Sequence, residues 1–245
     1  CHPLNYALGI AKAALSAGAK IYENSAAISY KVLDNHVRVT TKNGSVKADR
    51  IVLACNGYLG NLEKSLASKI LPMNNYIVAT KPLDDETVQK INPKDIAFAD
   101  SRFVINYFRM SADKRLLFGG GENYSQELSK NIVPIVTRPL EKIYPFLKGI
   151  KIDYAWGGKL AITMNRLPFF TTLKNERVIS AQGYSGQGVA LASYSGKIVS
   201  EKILGSGKTF DLMAKIPRQS FPGGRFLRNP SMKLGMLYYS LLDRI

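Results

Sequence analysis

The residues Gly183-Tyr184-Ser185-Gly186-Gln187-Gly188 are the part of this sequence best spaced for chemistry. They form a glycine-rich turn between a strand-like run, Arg177 to Ala181, and a helical run, Val189 to Leu204. Such a turn leaves backbone N–H groups unpaired at a helix N-terminus, where the helix dipole adds partial positive charge. Glycines there let a flat or bulky ligand approach the backbone closely. The turn alone fits two readings equally, an anion or cofactor site and a tight βα turn with no ligand. A second place for chemistry is Cys55-Asn56-Gly57, which closes the continuous apolar run Ile51-Val52-Leu53-Ala54. Such a run suits a strand buried on both faces of a parallel sheet, and α/β sheets bind ligands at the carboxyl ends of strands.

Three other chemistries fail on spacing. Gly183-Tyr184-Ser185 opens like the nucleophile elbow G-x-S-x-G, but the last glycine falls one place late, at Gly188. That elbow also needs a histidine after the serine, and His2 and His36 both precede it. Gly205-Ser206-Gly207-Lys208-Thr209 resembles the end of a phosphate-binding loop, but Lys202 stands where the first glycine belongs, and the segment follows a helix. It reads as a helix stop and a loop. Two cysteines and two histidines at unrelated spacings make no zinc site, and no metal is expected.

The elements that must position these residues read as follows. Leu4 to Ala17 is helical and stops at Gly18. Ala19 to Tyr22 reads as a short strand. Ala27 to Leu33 and His36 to Thr41 form a hairpin about Asp34-Asn35, and Asn43-Gly44 turns the chain into Ser45 to Ala48 and Arg50 to Ala54. The middle is antiparallel: Tyr76 to Thr80, Phe103 to Phe108, Leu116 to Gly119 and Tyr154 to Ile162, with Ala112-Asp113-Lys114 as a turn. A sheet there carries Tyr107, Phe108 and Trp156. Val133 to Leu147 is a helix interrupted by Pro139 and Pro145, and Ser231 to Asp243 is a final helix.

The 245 residues, 46% apolar and 21% charged, suffice for one large domain or most of two. No stretch approaches the roughly 18 apolar residues of a membrane span. With only Cys1 and Cys55 there is no disulfide framework, so a reducing, cytoplasmic compartment is expected. The net charge of +16 raises the question of a nucleic-acid partner, but most of the 34 Lys and Arg are scattered singly and no basic run of five or more exists, so none is expected.

The helix opening His2-Pro3-Leu4, the turn Ala17 to Ile21, the run Ile51 to Gly60 and the turn at Gly183 resemble the FAD-dependent glycine/D-amino-acid oxidase superfamily. Longer stretches are similar to gamma-glutamylputrescine oxidoreductases: Ala54 to Gly60, Asn106 to Arg109, Leu116 to Glu122, Trp156-Gly157-Gly158 and Phe221 to Gly224. The resemblance implies a mixed α/β fold, with part of a Rossmann-like FAD-binding domain (1–72 and 172–220), an antiparallel-sheet substrate domain (73–171) and a tail (221–245). The family opens with a G-x-G-x-x-G fingerprint that this sequence lacks, so an N-terminal FAD half is expected outside it.

The resemblance also assigns roles. Ala27 stands where the family contacts adenine. Ala54, Asn56 and Gly57 match the strand end beside the cofactor. Gly183, Tyr184, Ser185, Gly186, Gln187, Gly188 and Val189 match the turn that meets the flavin ring. Some relatives tether flavin to a Cys near Trp156. Gly157 and Gly158 lie there instead, which implies noncovalent FAD. Arg166, then Arg109, are candidates for a substrate carboxylate, since guanidinium binds it bidentately. Tyr107, Trp156 and Tyr184 are candidate pocket walls, and His2 a candidate base. The implied reaction is oxidative deamination of a gamma-glutamylputrescine-like amine, with oxygen or another acceptor taking the electrons. The alternatives are oxidation of glycine, sarcosine or a D-amino acid, or an inactive interaction module without flavin.

Overall fold

The computed structural model describes residues 1–102, 105–123, 127–222, 230 and 234. In chain order the elements are α1 (Pro3–Ser16), β1 (Ser29–Val32), β2 (Val37–Thr40), β3 (Ser45–Ala48), β4 (Ile51–Leu53), α2 (Lys64–Ala67) and β5 (Leu71–Thr80). Then come α3 (Asp85–Ile91), β6 (Phe98–Ala99), β7 (Tyr107–Met110), β8 (Leu116–Asn123), α4 (Val133–Ile143) and β9 (Ile152–Ile162). The last are β10 (Phe169–Leu173), β11 (Val178–Gln182), α5 (Gly188–Ile203) and α6 (Lys208–Ala214). The mixed α/β architecture matches the expected class. The chain divides into two compact units, 1–67 with 165–218 and 68–164 with 219–245.

In the first unit, α1 starts at a capped end. The His2 imidazole accepts the Asn5 amide at 3.3 Å, and Pro3 occupies the first turn, where its missing N–H costs nothing. The helix stops before Gly18, at φ +88. No residue of α1 is buried. The strand expected at Ala19–Tyr22 does not form: Ile21 and Tyr22 are exposed, and no described strand pairs with them. The strands β1, β2 and β3 form an antiparallel meander through the two expected turns, in register Val32↔Val37 and Thr40↔Ser45.

A second sheet, ordered β10-β11-β4, pairs β11 antiparallel to β10 and parallel to β4. The reading of Ile51 to Ala54 as doubly buried needs correction. β4 is an edge strand, and Val52 stays 40% exposed because no described element covers it. Phe170, Ile179 and Ala181 pack against Ile198 and Val199 of α5 and Phe210 of α6, with the Phe170 and Phe210 rings edge-on at 5.6 Å. The segment read as a loop from Gly205 therefore restarts as a helix, anchored by Phe210.

Glu63 ties this unit together. Its carboxylate accepts from the Tyr30 hydroxyl and from the Ser65 amide and hydroxyl, and lies 3.6 Å from the Lys174 ammonium. Burial pushes the carboxyl pKa up, but these donors and Lys174 more than offset it, so Glu63 titrates below the ordinary glutamate value. A depressed folded pKa gives stability that is present above the unfolded value and lost as pH falls through the folded one. Replacing Glu63→Gln is therefore expected to cost about 1–2 kcal/mol at neutral pH, and less as pH drops below the ordinary glutamate range. Urea midpoints measured against pH check this, and parallel acid limbs for the two proteins would refute it.

In the second unit a five-stranded antiparallel sheet is ordered β6-β7-β8-β5-β9. One face, with Tyr76, Val78 and Phe118, packs on Val136 and Leu140 of α4 and on Leu83, Ile91 and Leu147. Alternation of side chains puts Phe108 on this face, stacked on Phe118 at 5.5 Å, and Tyr107 on the other. The helix α4 runs through Pro139 and ends at Ile143, so the expected break at Pro139 does not occur; the buried Val136 and Leu140 on either side hold it to the sheet. The expected strand Phe103 to Phe108 is displaced. Asn106 is held in a loop by both carboxylate oxygens of Asp100, at 3.0 and 2.6 Å, and β7 starts at Tyr107. Residues 103 and 104, and the expected helix Ser231–Asp243 apart from Leu234, lie outside the described residues.

Candidate functional site

Two places in the molecule bring the singled-out residues together, one in each unit. In the first unit β4 and β11 run parallel, so their carboxyl ends lie side by side. Beyond β4, Asn56 sits at φ +48 in a single 3₁₀ turn, and its Oδ1 accepts the Gly183 amide at 3.0 Å. That bond ties the two strand ends together. Gly183, Ser185 and Gly186 take φ of +77, +50 and +97, so the turn coils back on itself before α5 begins. The side chain of Gln187, the N-cap residue, does not cap α5, and the Leu191 amide reaches back to the carbonyl of Gln187. The positive end of a 16-residue helix is thereby presented at Gly188, Val189 and Ala190.

Space and unmet polarity mark this turn. A Cβ built on Gly186 meets nothing within 4 Å, and one on Gly188 meets only the Tyr184 side chain, at 3.8 and 3.9 Å. Gly186 needs glycine for its backbone; Gly188 does not, since it lies outside the left-handed region. Gln182, immediately before the turn, is fully buried, and neither its Oε1 nor its Nε2 has a partner among the described residues. A buried unpaired polar group costs on the order of 1–3 kcal/mol, and Gln182 carries two of them.

Tyr184 does not present its hydroxyl outward. It is buried, donates to the Ala181 carbonyl at 3.1 Å, and burial pushes its phenol pKa up. Val189, Gln187 and Ala54 are exposed, Gly57 is buried, and Ala27 is exposed just before β1. Burial raises the Cys55 thiol pKa, which keeps it protonated and a poor nucleophile. Arg166 is exposed at φ +58, in the turn before β10. His2 is the cap of α1.

In the second unit the face opposite the core carries one rung of four residues: Tyr107 on β7, Gly119 on β8, Ile77 on β5 and Trp156 on β9. Trp156 is 44% exposed. The Tyr107 ring lies across Gly119, where a Cβ would fall 2.2 Å from the ring, and its hydroxyl bonds the Oδ1 of Asn75. Arg109, two residues along β7, is on the same face and exposed, with its Nε donating to the Met110 carbonyl at 3.2 Å. Sequence reasoning missed Asn75 and Gln182. The polar Ser180 and Gln182 alternating along one face of an apolar strand were the only available signal for the second. Among the described residues no group of three or more His, Cys, Asp or Glu could hold a metal, and no helix is long and apolar enough to cross a membrane.

Comparison with known proteins gives a consistent set. The model of the DAO family, described as FAD dependent oxidoreductase, matches residues 1–202. The chain is 40% identical over 243 residues to the probable oxidoreductase OrdL of Rhizobium meliloti (strain 1021), covering 99% of this chain and 56% of that protein. It is 37% identical over 245 residues to the gamma-glutamylputrescine oxidoreductase of Escherichia coli (strain K12), covering 100% of this chain and 57% of the relative. The chain thus spans little more than half the length of these curated relatives. The glycine oxidase of Geobacillus kaustophilus matches with a TM-score of 0.69 at 20% identity, over 87% of this chain and 57% of that one, which speaks for the fold.

Proposed function

Since the chain belongs to the DAO family of FAD-dependent oxidoreductases, we propose that the protein carrying it oxidises a gamma-glutamylputrescine-like amine. The observation that carries the cofactor part is the turn after β11. Open space beside Gly188, an uncapped helix start and the unpaired amide of Gln182 are a fit for a flat, heteroatom-edged ring. Gly183 to Val189 would hold that ring, and Asn56 fixes the turn by its bond to Gly183. The positive end of α5 favours negative charge beside it.

When bound, noncovalent FAD would supply acceptance of a hydride from the carbon beside the amine; hydrolysis would then give a carbonyl compound and ammonia or a smaller amine, with oxygen or another acceptor taking the electrons. The chain's own part is to bind and orient. Arg166 or Arg109 would take a substrate carboxylate, and Tyr107 and Trp156 would flank an apolar chain. His2 contributes as a helix cap in this reading, since its Nδ1 lone pair is already engaged.

The identity to the E. coli enzyme supports the amine class. The chain contains no G-x-G-x-x-G, so the pyrophosphate would be held by a segment outside these 245 residues. Once unbound FAD is removed, the 245-residue chain alone is therefore expected to be colourless, while a protein of the relatives' length retains FAD and is yellow. Stoichiometric FAD on the 245-residue chain would refute this division. Turnover of gamma-glutamylputrescine by the longer protein, compared with glycine, sarcosine and a D-amino acid, tests the substrate.

A further inference from the structure

Asn75 sits at an irregular point of the sheet. The β5–β8 ladder runs from Asn74↔Asn123 to Tyr76↔Gly120, so one residue of β5 faces two of β8, a β-bulge opposite Asn75. Gly121, at φ +67 within the bulge, makes it possible. On the other side Asn75 pairs with Gly158, which has no side chain to crowd it. The Tyr107 ring crosses Gly119 to bring its hydroxyl to the Oδ1 of Asn75. With Oδ1 accepting the phenol proton, Nδ2 keeps two protons to donate, on a half-buried residue of this face. Ile77 and Trp156 lie beside it on the same face. Bulges re-aim side chains next to functional sites, and a fixed amide donor among apolar groups is selective for an oxygen acceptor.

We infer that Asn75 is a specificity residue, oriented by Tyr107, that reads an amide or carboxylate oxygen on the chain of the amine substrate. The inference rests on the amine-oxidising reading above. Tyr107 is a positioning residue, acting through the orientation of Asn75.

The test uses the FAD-loaded protein of full length and three amines of similar size. N-acetyl-1,4-diaminobutane carries an amide, 5-aminopentanoate a carboxylate, and pentylamine neither. In Asn75→Leu, the kcat/KM for an oxygen-bearing amine, relative to that for pentylamine, is expected to fall about 10- to 100-fold, mostly through KM. Whichever of the two oxygen-bearing amines loses its advantage identifies the group that is read. Tyr107→Phe keeps the ring over Gly119 and removes only the hydroxyl, and a smaller fall of about 3- to 10-fold is expected.

Calorimetry with N-butylacetamide and with pentanoate, which carry the amide or the carboxylate but no oxidisable amine, supplies a readout independent of turnover. Wild type should bind the one that carries the group read, and Asn75→Leu should bind it about tenfold or more weakly. Unchanged ratios for both oxygen-bearing amines, or wild-type binding of neither ligand, or binding that is equal in the variant, would overturn the inference. If wild type oxidises none of the three amines, the amine reading fails instead, and the calorimetry still decides the role of Asn75.

Discussion

Gly157→Val is expected to destabilise the five-stranded unit by about 3 kcal/mol, the upper end of what overpacking a core costs. Gly157 pairs with Tyr76 across β5 and β9. A Cβ at Gly157 would lie 2.6 Å from Cδ1 and 2.9 Å from Cε1 of Tyr76, and 3.1 Å from the Asn75 carbonyl oxygen. Contacts that short require a neighbour to move. Tyr76 cannot swing aside cheaply: it is fully buried among Val78, Phe118, Val136 and Leu140, and its hydroxyl accepts the Ser129 amide at 2.9 Å. The ring is thus clamped at both ends, and the strain falls on the sheet.

A urea denaturation of the variant beside Gly9→Ala reads the effect. Gly9 lies in α1 with nothing within 4 Å of its missing Cβ, so alanine there should be neutral or add up to about 1 kcal/mol. The steric origin is checked by a cycle with Tyr76→Leu, in whose background Gly157→Val should cost clearly less. A Gly157→Val protein as stable as wild type, or a cost unchanged by Tyr76→Leu, would show that the ring does not occupy that space.

The two glycine tracks also show what the sequence makes legible. Turns are local, and their chemistry is written in adjacent residues. Asn43-Gly44, Ala112 to Lys114 and the Gly183 turn could be placed because left-handed or tight positions demand particular residue types within a few places. Gly119 and Gly157 are different. Each is glycine because a tyrosine from another strand lies over it, Tyr107 on one face and Tyr76 on the other. The pairing that brings Tyr76 to Gly157 joins residues about 80 positions apart, and no local pattern encodes it. Asn75 was unreadable for the same reason, since its meaning comes from Tyr107 and a bulge. Phe169 to Leu173 escaped notice as a strand because its apolar and polar residues do not alternate. The misread strand at Ala19 to Tyr22 had acceptable residue types and no partner to pair with. The glycine-rich turn itself was legible as a site for a ligand, with close approach of that ligand as the reason for its glycines; what was not legible is that Gly188, unlike Gly186, is glycine for a reason other than its backbone.

That reason supports the sharpest functional prediction. Of the two glycines facing open space, Gly186 cannot discriminate: at φ +97 any side chain strains the backbone, so a substitution there lowers stability whether or not a ligand is present. Gly188 has no such constraint. It opens α5 in ordinary helical backbone, where valine is no worse a helix former than glycine, and an added Cβ would make only van der Waals contact with Tyr184. Nothing in the described chain therefore requires glycine at 188. If the space is kept for FAD, Gly188→Val in the longer protein should leave the melting temperature of the apoprotein unchanged or slightly higher. FAD affinity should fall by about 2–4 kcal/mol, roughly 30- to 1000-fold, from one lost close contact and one obstructed N–H bond. Gly188→Ala, with a shorter reach, should fall between. The measurement is a flavin titration of the folded apoprotein alongside its melting curve. Wild-type FAD affinity in Gly188→Val would mean that the space serves something other than the cofactor, and the turn would revert to a βα connection without a ligand.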